Sequence, residues 1–303
     1  MKISNNDAIF EVIGGLGNQL FGLSAGIYFE KKHHKRLKVS LREIDKGITA
    51  HGVSIANLNL PCELVEVTYK KRQLSRLMRR VVFKMDRTFS KNSSFSRGLL
   101  GIYRSNTTGY DSVLDSNIAQ RRIQGYFQSR IYADALKDSI GGKSFQVKNE
   151  STWLYAMKLK AISEKPVVLH VRRGDYRNQM NDFGMLSSKY YEKAISLVRE
   201  SFPSNPIWVF SDELNETRKE FTESFEENFE WISPPPSSTS EESFILMQFG
   251  IAHIISNSTF SWWSAYASEN SSLVVAPNPW MRSVKEPENL IPLDWVRINS
   301  DWL

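Results

Sequence analysis

Short apolar segments alternate with helical patterns in the second half of this 303-residue chain, and that alternation restricts the fold more than any other feature. Apolar runs of this length are typical of parallel strands that are buried on both faces. The segments between them, such as SSKYYEKAISLVRESF, carry apolar residues at helical spacing. The pattern therefore predicts an α/β fold built from βαβ units. The predicted strands are PVVLHV (166–171), PIWVFS (206–211), FEWIS (229–233), AHIIS (252–256) and SLVVAP (272–277).

The first half repeats this pattern less regularly. AIFEVI (8–13) predicts a strand that runs into GGLGNQL, and a helix with two apolar faces follows to about His33. A polar helix is predicted at 149–165, where it separates the two halves. Further strands are predicted at 37–41, 62–68 and 121–127.

We therefore predict two doubly wound domains that face a cleft. Ligands bind in open α/β sheets at the carboxyl ends of the strands, so the cleft is the expected binding site. The first domain is placed at 1–155 and the second at 156–285. The C-terminal segment, 286–303, is expected to pack back on the first domain.

Composition indicates a globular chain, with 41% hydrophobic and 24% charged residues. Cys62 is the only cysteine, which excludes an internal disulfide framework. The N-terminus has too short an apolar run for a signal peptide, and no stretch approaches the roughly 20 apolar residues of a bilayer span. We expect a cytoplasmic protein that can contact the inner face of the membrane.

The net charge of +6 is concentrated in residues 70–104, which hold eleven Lys and Arg and one acidic residue, Asp86. Apolar residues recur at helical spacing within 70–87, so we predict a basic amphipathic helix there. One interpretation is a helix docked on the core with solvated arginines. Another is a surface for anionic lipid or a phosphorylated glycolipid acceptor. Nucleic acid is not expected, because no known nucleic-acid-binding module accompanies the charge.

Two strand-to-helix turns have the composition of anion-binding sites. Gly15 and Gly17 in GGLGNQL permit close backbone approach, and a helix N-terminus that follows them favours an anion. The segment resembles a dinucleotide fingerprint, but Leu20 occupies the third glycine position, and a purely structural turn stays open. The second turn, SNSTFSWW, gathers hydroxyls and amides after the strand 252–256. Its two tryptophans are expected to pack rather than to stack on a ligand.

Two adjacent arginines follow the strand 166–171, in HVRRGDY. Arginine suits a diphosphate because its planar fork donates two parallel hydrogen bonds and stays charged. We predict that Arg172 contacts phosphate and that Arg173 pairs with a carboxylate, for which Asp175 is the candidate. His170 is either near the nucleotide or a core histidine. No D-x-D or H-x-x-H motif is present, so we predict that arginine, and not a metal ion, stabilises a departing diphosphate.

Five motifs together resemble the bacterial α-1,2-fucosyltransferases, in matching order over roughly 270 of the 303 residues. The resemblance implies a GT-B fold with two Rossmann-like domains, GDP-fucose as donor, inversion at the anomeric carbon and no metal. It also implies transfer to the 2-hydroxyl of a β-galactoside in an O-antigen or a milk-type oligosaccharide. The motifs are GGLGNQLF (14–21), GYFQS (125–129), HVRRGDY (170–176), FSDE (210–213) and NSTFSWW (257–263).

The same resemblance implies roles for individual residues. Arg172 matches the arginine that holds the β-phosphate, His170 a histidine near the nucleotide, and Arg173 a second, structural arginine. Asn18 matches an asparagine that approaches the diphosphate or the fucose. The turn residues Ser258, Thr259 and Ser261 match a phosphate-contacting segment.

A carboxylate is expected to read the guanine base, and Glu242 is the nearest match, with Asp212 in reserve. A base for the acceptor hydroxyl is also expected, and Asp175 and Asp182 are the candidates. Two other function classes stay open on sequence grounds. One is a nicotinamide-dependent oxidoreductase, which the doubly wound pattern permits. The other is a non-catalytic protein that binds membrane or nucleic acid through residues 70–104.

Overall fold

The computed structural model describes residues 4, 6–41, 55–65, 102–116, 118 and 122–303. The chain forms two compact units, each with its own parallel sheet. The first unit comprises Met1–Gly52, Pro61–Leu136 and Pro287–Asn289. The second comprises Val53–Leu60, Lys137–Glu286 and Leu290–Leu303.

The first unit is a four-stranded sheet in the order β2-β1-β4-β3, with every pairing parallel. All five residues of β1 are buried, as expected for a strand with neighbours on both sides. Helix α1 follows directly and buries most of its length, in agreement with the two apolar faces in its sequence. The elements are β1 (Asp7–Glu11), α1 (Leu16–His33), β2 (Arg36–Ser40), β3 (Ile102–Arg104), β4 (Arg122–Gln124) and the start of α2 (Arg130–Ser139).

Asp115 fastens a 3₁₀ turn, Ser112–Asp115, to the side of α1. Its carboxylate accepts hydrogen bonds from Lys32 Nζ at 2.7 Å, Tyr28 Oη at 2.7 Å and Tyr110 Oη at 2.5 Å. The bond from Lys32, followed by the bond from Tyr110, lowers the pKa of Asp115 to about 2. The carboxylate is therefore ionised throughout the neutral range.

The second unit is a six-stranded sheet in the order β10-β9-β8-β5-β6-β7, again parallel throughout. The central strand β5 is fully buried, and α4 packs an aromatic and aliphatic face on the sheet. The strands are β5 (Val167–Val171), β6 (Ile207–Ser211), β7 (Phe229–Trp231), β8 (Ala252–Ile254), β9 (Leu273–Asn278) and β10 (Val296–Asn299). The helices are α3 (Thr152–Glu164), α4 (Ser188–Ser201), α5 (Leu214–Ser224), α6 (Ser240–Met247) and α7 (Thr259–Ala267).

The structure differs from the sequence predictions in several places. The segment 62–68 is described only as far as residue 65 and contributes a single bridge, between Val39 and Leu64. Strands β3 and β10 were not predicted. The predicted basic helix over 70–87 lies outside the described residues.

The domain limits also differ from those predicted. The boundary falls after Leu136 and not after residue 155, so α3 belongs to the second unit. The C-terminal segment 286–303 was expected to pack on the first domain. Most of it joins the second unit instead, because β10 pairs with β9, and only Pro287–Asn289 belong to the first.

Candidate functional site

Arg172 follows the last residue of β5, at the carboxyl edge of the six-stranded sheet of the second unit. Two carboxylates bind its guanidinium. Nη2 donates to Asp175 Oδ1 at 2.6 Å, and Nη1 lies 3.1 Å from Asp212 Oδ2. The Tyr176 ring lies beneath the guanidinium, with its centroid 5.5 Å from Cζ. The Arg172 side chain is 16% exposed, so it is partly open to solvent.

Arg173 points into the protein and is 2% exposed. Its Nη2 donates to both carboxylate oxygens of Glu220, each at 2.9 Å, and its Nη1 donates to the Leu186 carbonyl at 2.8 Å. The prediction that Arg173 pairs with a carboxylate therefore agrees with the structure, but the partner is Glu220. Asp175 was the expected partner, and it binds Arg172 instead.

Asp212 connects the two arginines. Its Oδ1 accepts the backbone N–H of Arg173 at 2.8 Å, while its Oδ2 pairs with Arg172. Gly174 makes this approach possible, because a Cβ at that position would lie 2.5 Å from Asp212 Oδ2. Both oxygens of Asp212 are engaged in the loop, so the structure does not favour it as the reader of guanine.

His170, within β5, is 4% exposed, and its Nδ1 lies 2.8 Å from Ser256 Oγ. Burial, together with the positive charge of Arg172, lowers the pKa of His170 to about 3. The imidazole is therefore neutral at physiological pH and adds no charge to the site. This leaves Arg172 as the cation that β5 delivers to the carboxyl edge.

Tyr176 joins this loop to the SNSTFSWW turn. Its hydroxyl donates to the Asn257 carbonyl at 2.8 Å, and burial raises the pKa of Tyr176 to about 12. Asn257 Nδ2 donates in turn to the Phe183 carbonyl at 2.9 Å. These bonds connect the loop that carries Arg172 to the turn that precedes α7.

The hydroxyl-bearing residues of the turn before α7 differ in burial and in hydrogen bonding. Ser258 is the N-cap, and its Oγ accepts the Phe260 N–H at 3.3 Å. Ser261 is fully buried and donates to the Ser258 carbonyl at 3.1 Å, so its proton serves the turn and not a ligand. Thr259 is half-buried at the first position of the helix. Of the three predicted phosphate contacts, Ser258 and Thr259 fit the geometry better than Ser261.

The other predicted site residues of the second unit, Glu242 and Asp182, lie on other segments of the chain. Glu242, in the first turn of α6, is 3% exposed, and its Oε1 accepts the Ser151 N–H at 2.8 Å. Its Oε2 is buried and has no hydrogen-bond partner among the described residues. Asp182 lies on an exposed stretch after the 3₁₀ turn Asp175–Gln179.

The first unit presents its own candidate site at the turn between β1 and α1. Gly14 has a positive φ of 77°, and a Cβ there would lie 2.7 Å from Asn18 Nδ2. Gly15 is the N-cap of α1 and faces open space, since an added Cβ would have no atom within 4 Å, whereas Gly17 is buried in the first turn. Asn18 Oδ1 accepts a hydrogen bond from Gln128 Nε2 at 2.9 Å.

Sequence reasoning missed Glu220 and Tyr176 as residues that hold the site of the second unit in place, and Gln128 as the residue that holds Asn18 in the first. Gln128 was visible within the GYFQS motif, but nothing in the pattern related it to Asn18, which is 110 positions away. Glu220 carries no local signal, because it is one of several acids on the polar face of α5. Tyr176 closes the HVRRGDY motif and was assigned no role.

Within the described part of the chain, no three His, Cys, Asp or Glu side chains are grouped so that they could hold a metal ion. Over the same residues, no helix has the length and apolarity of a bilayer span.

The family model described as "Glycosyl transferase family 11" matches residues 120–299, which is more than half of the chain. The chain belongs to glycosyl transferase family 11. The matched residues include both arginines and the SNSTFSWW turn. The protein is therefore a glycosyltransferase.

Two proteins from Escherichia coli are similar over nearly the whole chain. An α-1,2-colitosyltransferase is 27% identical over 301 residues, which cover 96% of this chain and 99% of that protein. The O-antigen biosynthesis glycosyltransferase WbnK is 27% identical over 284 residues, covering 88% of this chain and 92% of that protein.

The fold is similar to that of the fucosyltransferase NodZ from Bradyrhizobium, with a TM-score of 0.50 and 10% identity. The match covers 94% of this chain and 100% of NodZ. The fold is thus an α/β fold of the GT-B type with parallel sheets, as the sequence predicted.

Proposed function

We propose that this glycosyltransferase moves L-fucose from GDP-β-L-fucose to the 2-hydroxyl of a terminal β-galactoside, with inversion, in the synthesis of O-antigen or a related glycan. The observation that carries the proposal is the position of Arg172 in a family 11 chain. It stands at the carboxyl edge of β5, partly open to solvent and tied through Tyr176 to the turn that begins α7.

The proposed chemistry is a single displacement at the anomeric carbon of the sugar. The bond between that carbon and the β-phosphate oxygen breaks as the acceptor oxygen attacks, and GDP leaves with the electron pair. Fixed donors aimed at the developing charge lower the barrier to such a step. Arg172 is proposed to stabilise the negative charge on the departing diphosphate. The N-terminus of α7, with Ser258 and Thr259, is proposed to supply backbone N–H groups to it.

Inversion in one step requires that the acceptor hydroxyl lose its proton as it attacks. Asp175 and Asp182 are the proposed bases. Asp175 is favoured because it already lies beside Arg172, where the leaving group is expected. For guanine, Glu242 is proposed over Asp212, because Asp212 uses both of its oxygens on the arginine loop.

Asn18 and the glycines of its turn, Gly15 and Gly17, are also proposed to bind the donor sugar nucleotide. This proposal is supported by the free approach at Gly15 and by the bond that holds the Asn18 carboxamide. No divalent cation is proposed in the reaction. The role that a cation takes elsewhere, neutralising the departing diphosphate, is assigned here to guanidinium and amide groups.

A second donor has a specific observation in its favour. A relative that is similar over 96% of this chain is named as an α-1,2-colitosyltransferase. Colitose is 3-deoxy-L-fucose, so the two GDP-sugars differ by one hydroxyl group. Both donors would need the same diphosphate contacts, and they would differ only at the sugar.

The deciding experiment offers the protein GDP-fucose and GDP-colitose in parallel with a panel of β1,3- and β1,4-linked galactosides, and determines the product linkage by NMR. We expect an α-1,2-linked product with GDP-fucose. Transfer from GDP-colitose alone would replace the first donor with the second. Absence of any α-1,2-linked product, with nucleotide binding intact, would contradict the proposal.

Family membership favours glycosyl transfer over the two other function classes that the sequence left open. NAD(P)H fluorescence titration would reveal a nicotinamide site, and we expect no binding.

We also propose that residues 70–104 make peripheral contact with anionic membrane. Sedimentation with anionic vesicles should carry down the wild-type protein but not a variant with several of these arginines neutralised, which should retain transfer to a soluble acceptor.

A further inference from the structure

The two carboxylates on Arg172 are held in different ways. Asp212 uses one oxygen on Arg172 and the other on the backbone N–H of Arg173, and its side chain is 22% exposed. Asp175 lies at the start of a 3₁₀ turn, and its side chain is 42% exposed. Asp212 is thus built into the loop, whereas Asp175 faces solvent.

This arrangement conflicts with anion binding unless one partner leaves. One arginine between two carboxylates forms a cluster with a net negative charge, and a diphosphate that approaches the cluster is repelled. A phosphate must also compete for the guanidinium N–H groups with the carboxylates already bound to them. Asp212 pairs with Nη1 of Arg172, and Nη2 is the nitrogen that Asp175 holds at 2.6 Å.

We propose that the donor diphosphate displaces Asp175 from Arg172, while Asp212 stays bound and acts as a positioning residue for the guanidinium. The proposal rests on the proposed function, in which Arg172 binds the diphosphate. The exchange replaces one oxygen anion by another, so Nη2 keeps a charged acceptor throughout. It also releases a carboxylate beside the newly bound donor, where a base for the acceptor hydroxyl is required.

The exchange predicts that Asp175 weakens donor binding. Asp175→Asn removes the competing charge, and GDP should bind about 2- to 5-fold more tightly, the range expected from a partly exposed ion pair. Affinity for guanosine, which has no phosphate, should be unchanged. Asp212→Asn should weaken GDP binding without affecting guanosine, because the guanidinium loses its fixed partner.

Isothermal titration calorimetry in buffer with EDTA would measure GDP and guanosine affinities for these variants of the full chain. Asp294→Asn is the matched control, because it makes the same chemical change at an exposed position, and its GDP affinity should equal the wild-type value. Arg172→Ala is the reference for the proposed function, and it should lose most of its GDP affinity.

The outcomes separate the two proposals. If Arg172→Ala binds GDP normally, the proposed function fails. If Arg172→Ala loses binding while Asp175→Asn binds GDP no more tightly than wild type, the exchange is wrong and the proposed function survives. Equal tightening for GDP and guanosine would also overturn the exchange. Thermal unfolding of Asp212→Asn identifies a folding defect, and in that case Asp175→Asn alone decides.

Discussion

Arg172 and Arg173 are neighbours in sequence with opposite environments. Side chains alternate along an extended chain, so the Arg172 guanidinium lies at the surface while the Arg173 guanidinium points into the protein. The Arg172 side chain is 16% exposed, whereas the Arg173 side chain is buried and forks onto Glu220. The first is therefore available to a ligand, and the second is part of the structure.

The buried arginine should be needed for stability. Arg173→Ala leaves Glu220 without this ion pair and removes the bond to the Leu186 carbonyl, so we expect a loss of about 2–4 kcal/mol in the free energy of unfolding. The lower end reflects the partial exposure of Glu220. Urea unfolding measures the loss, and Arg172→Ala should lose under about 1 kcal/mol. Equal losses for the two variants would contradict the assignment.

At the scale of elements, the turns matter more than the helices and strands that they join. Gly14 adopts a positive φ that L side chains rarely take, and its lack of a Cβ leaves room for Asn18. Gly14→Ala should lower stability by about 1–2 kcal/mol from backbone strain. It should also raise the KM for the donor, because the Asn18 carboxamide must move.

Gly15→Ala is the matched control for stability. Gly15 has a φ of −69°, and no atom lies within 4 Å of an added Cβ. Thermal unfolding of both variants should therefore separate them, with Gly15→Ala close to wild type. If Gly14→Ala were as stable as Gly15→Ala, the turn would not have the conformation described.

The Asp115 cluster should make the first unit sensitive to acid. The pKa of Asp115 is lowered to about 2 in the folded chain, below its ordinary value near 4. A depressed carboxyl pKa stabilises the fold above the unfolded pKa, and this stabilisation is lost as the pH falls from about 4 towards 2. Wild type should exceed Asp115→Asn in denaturant midpoint at pH 7, and the gap should close near pH 2. A gap that is the same at both pH values would argue against the ion pair.

The strands that the sequence predicted are mostly interior strands, and the strands that it missed are edges. β3 and β10 each have one strand neighbour among the described residues, and both contain arginine. An edge strand does not need two buried faces, so its sequence lacks the continuous apolar run that marks β5 or β6. The same limit applies to the candidate site, because the motifs were recognisable but the long-range pairings of Arg173 with Glu220 and of Asn18 with Gln128 were not.

At the scale of the whole molecule, the GT-B type fold and the family agree with the sequence prediction, but the domain limits do not. The polar sequence of helix α3 predicts a divider between the domains. The structure assigns it to the second unit, where Glu242 accepts the N–H of its N-cap, Ser151, and Leu154 is buried. The exposed face of α3 carries apolar side chains, Tyr155, Leu159 and Ile162, so its sequence did not show which face contacts a core.

Metal removal tests the proposed source of charge for the complete enzyme. If guanidinium and backbone amides stabilise the departing diphosphate, transfer from GDP-fucose should continue at an unchanged rate in EDTA. Initial rates with EDTA, and with added magnesium or manganese, measure this directly. A strict requirement for a divalent cation would contradict the metal-free proposal.

The central claim is that Arg172 stabilises GDP as it departs, and kcat/KM for transfer in Arg172→Ala tests it most directly. Loss of one preorganised charge stabiliser typically costs about 10²- to 10³-fold in rate, and we expect a loss of that size with the fold intact. Arg218→Ala, at an exposed position on α5, is the matched control and should keep wild-type kcat/KM. Transfer by Arg172→Ala at a rate close to that of the control would contradict the account.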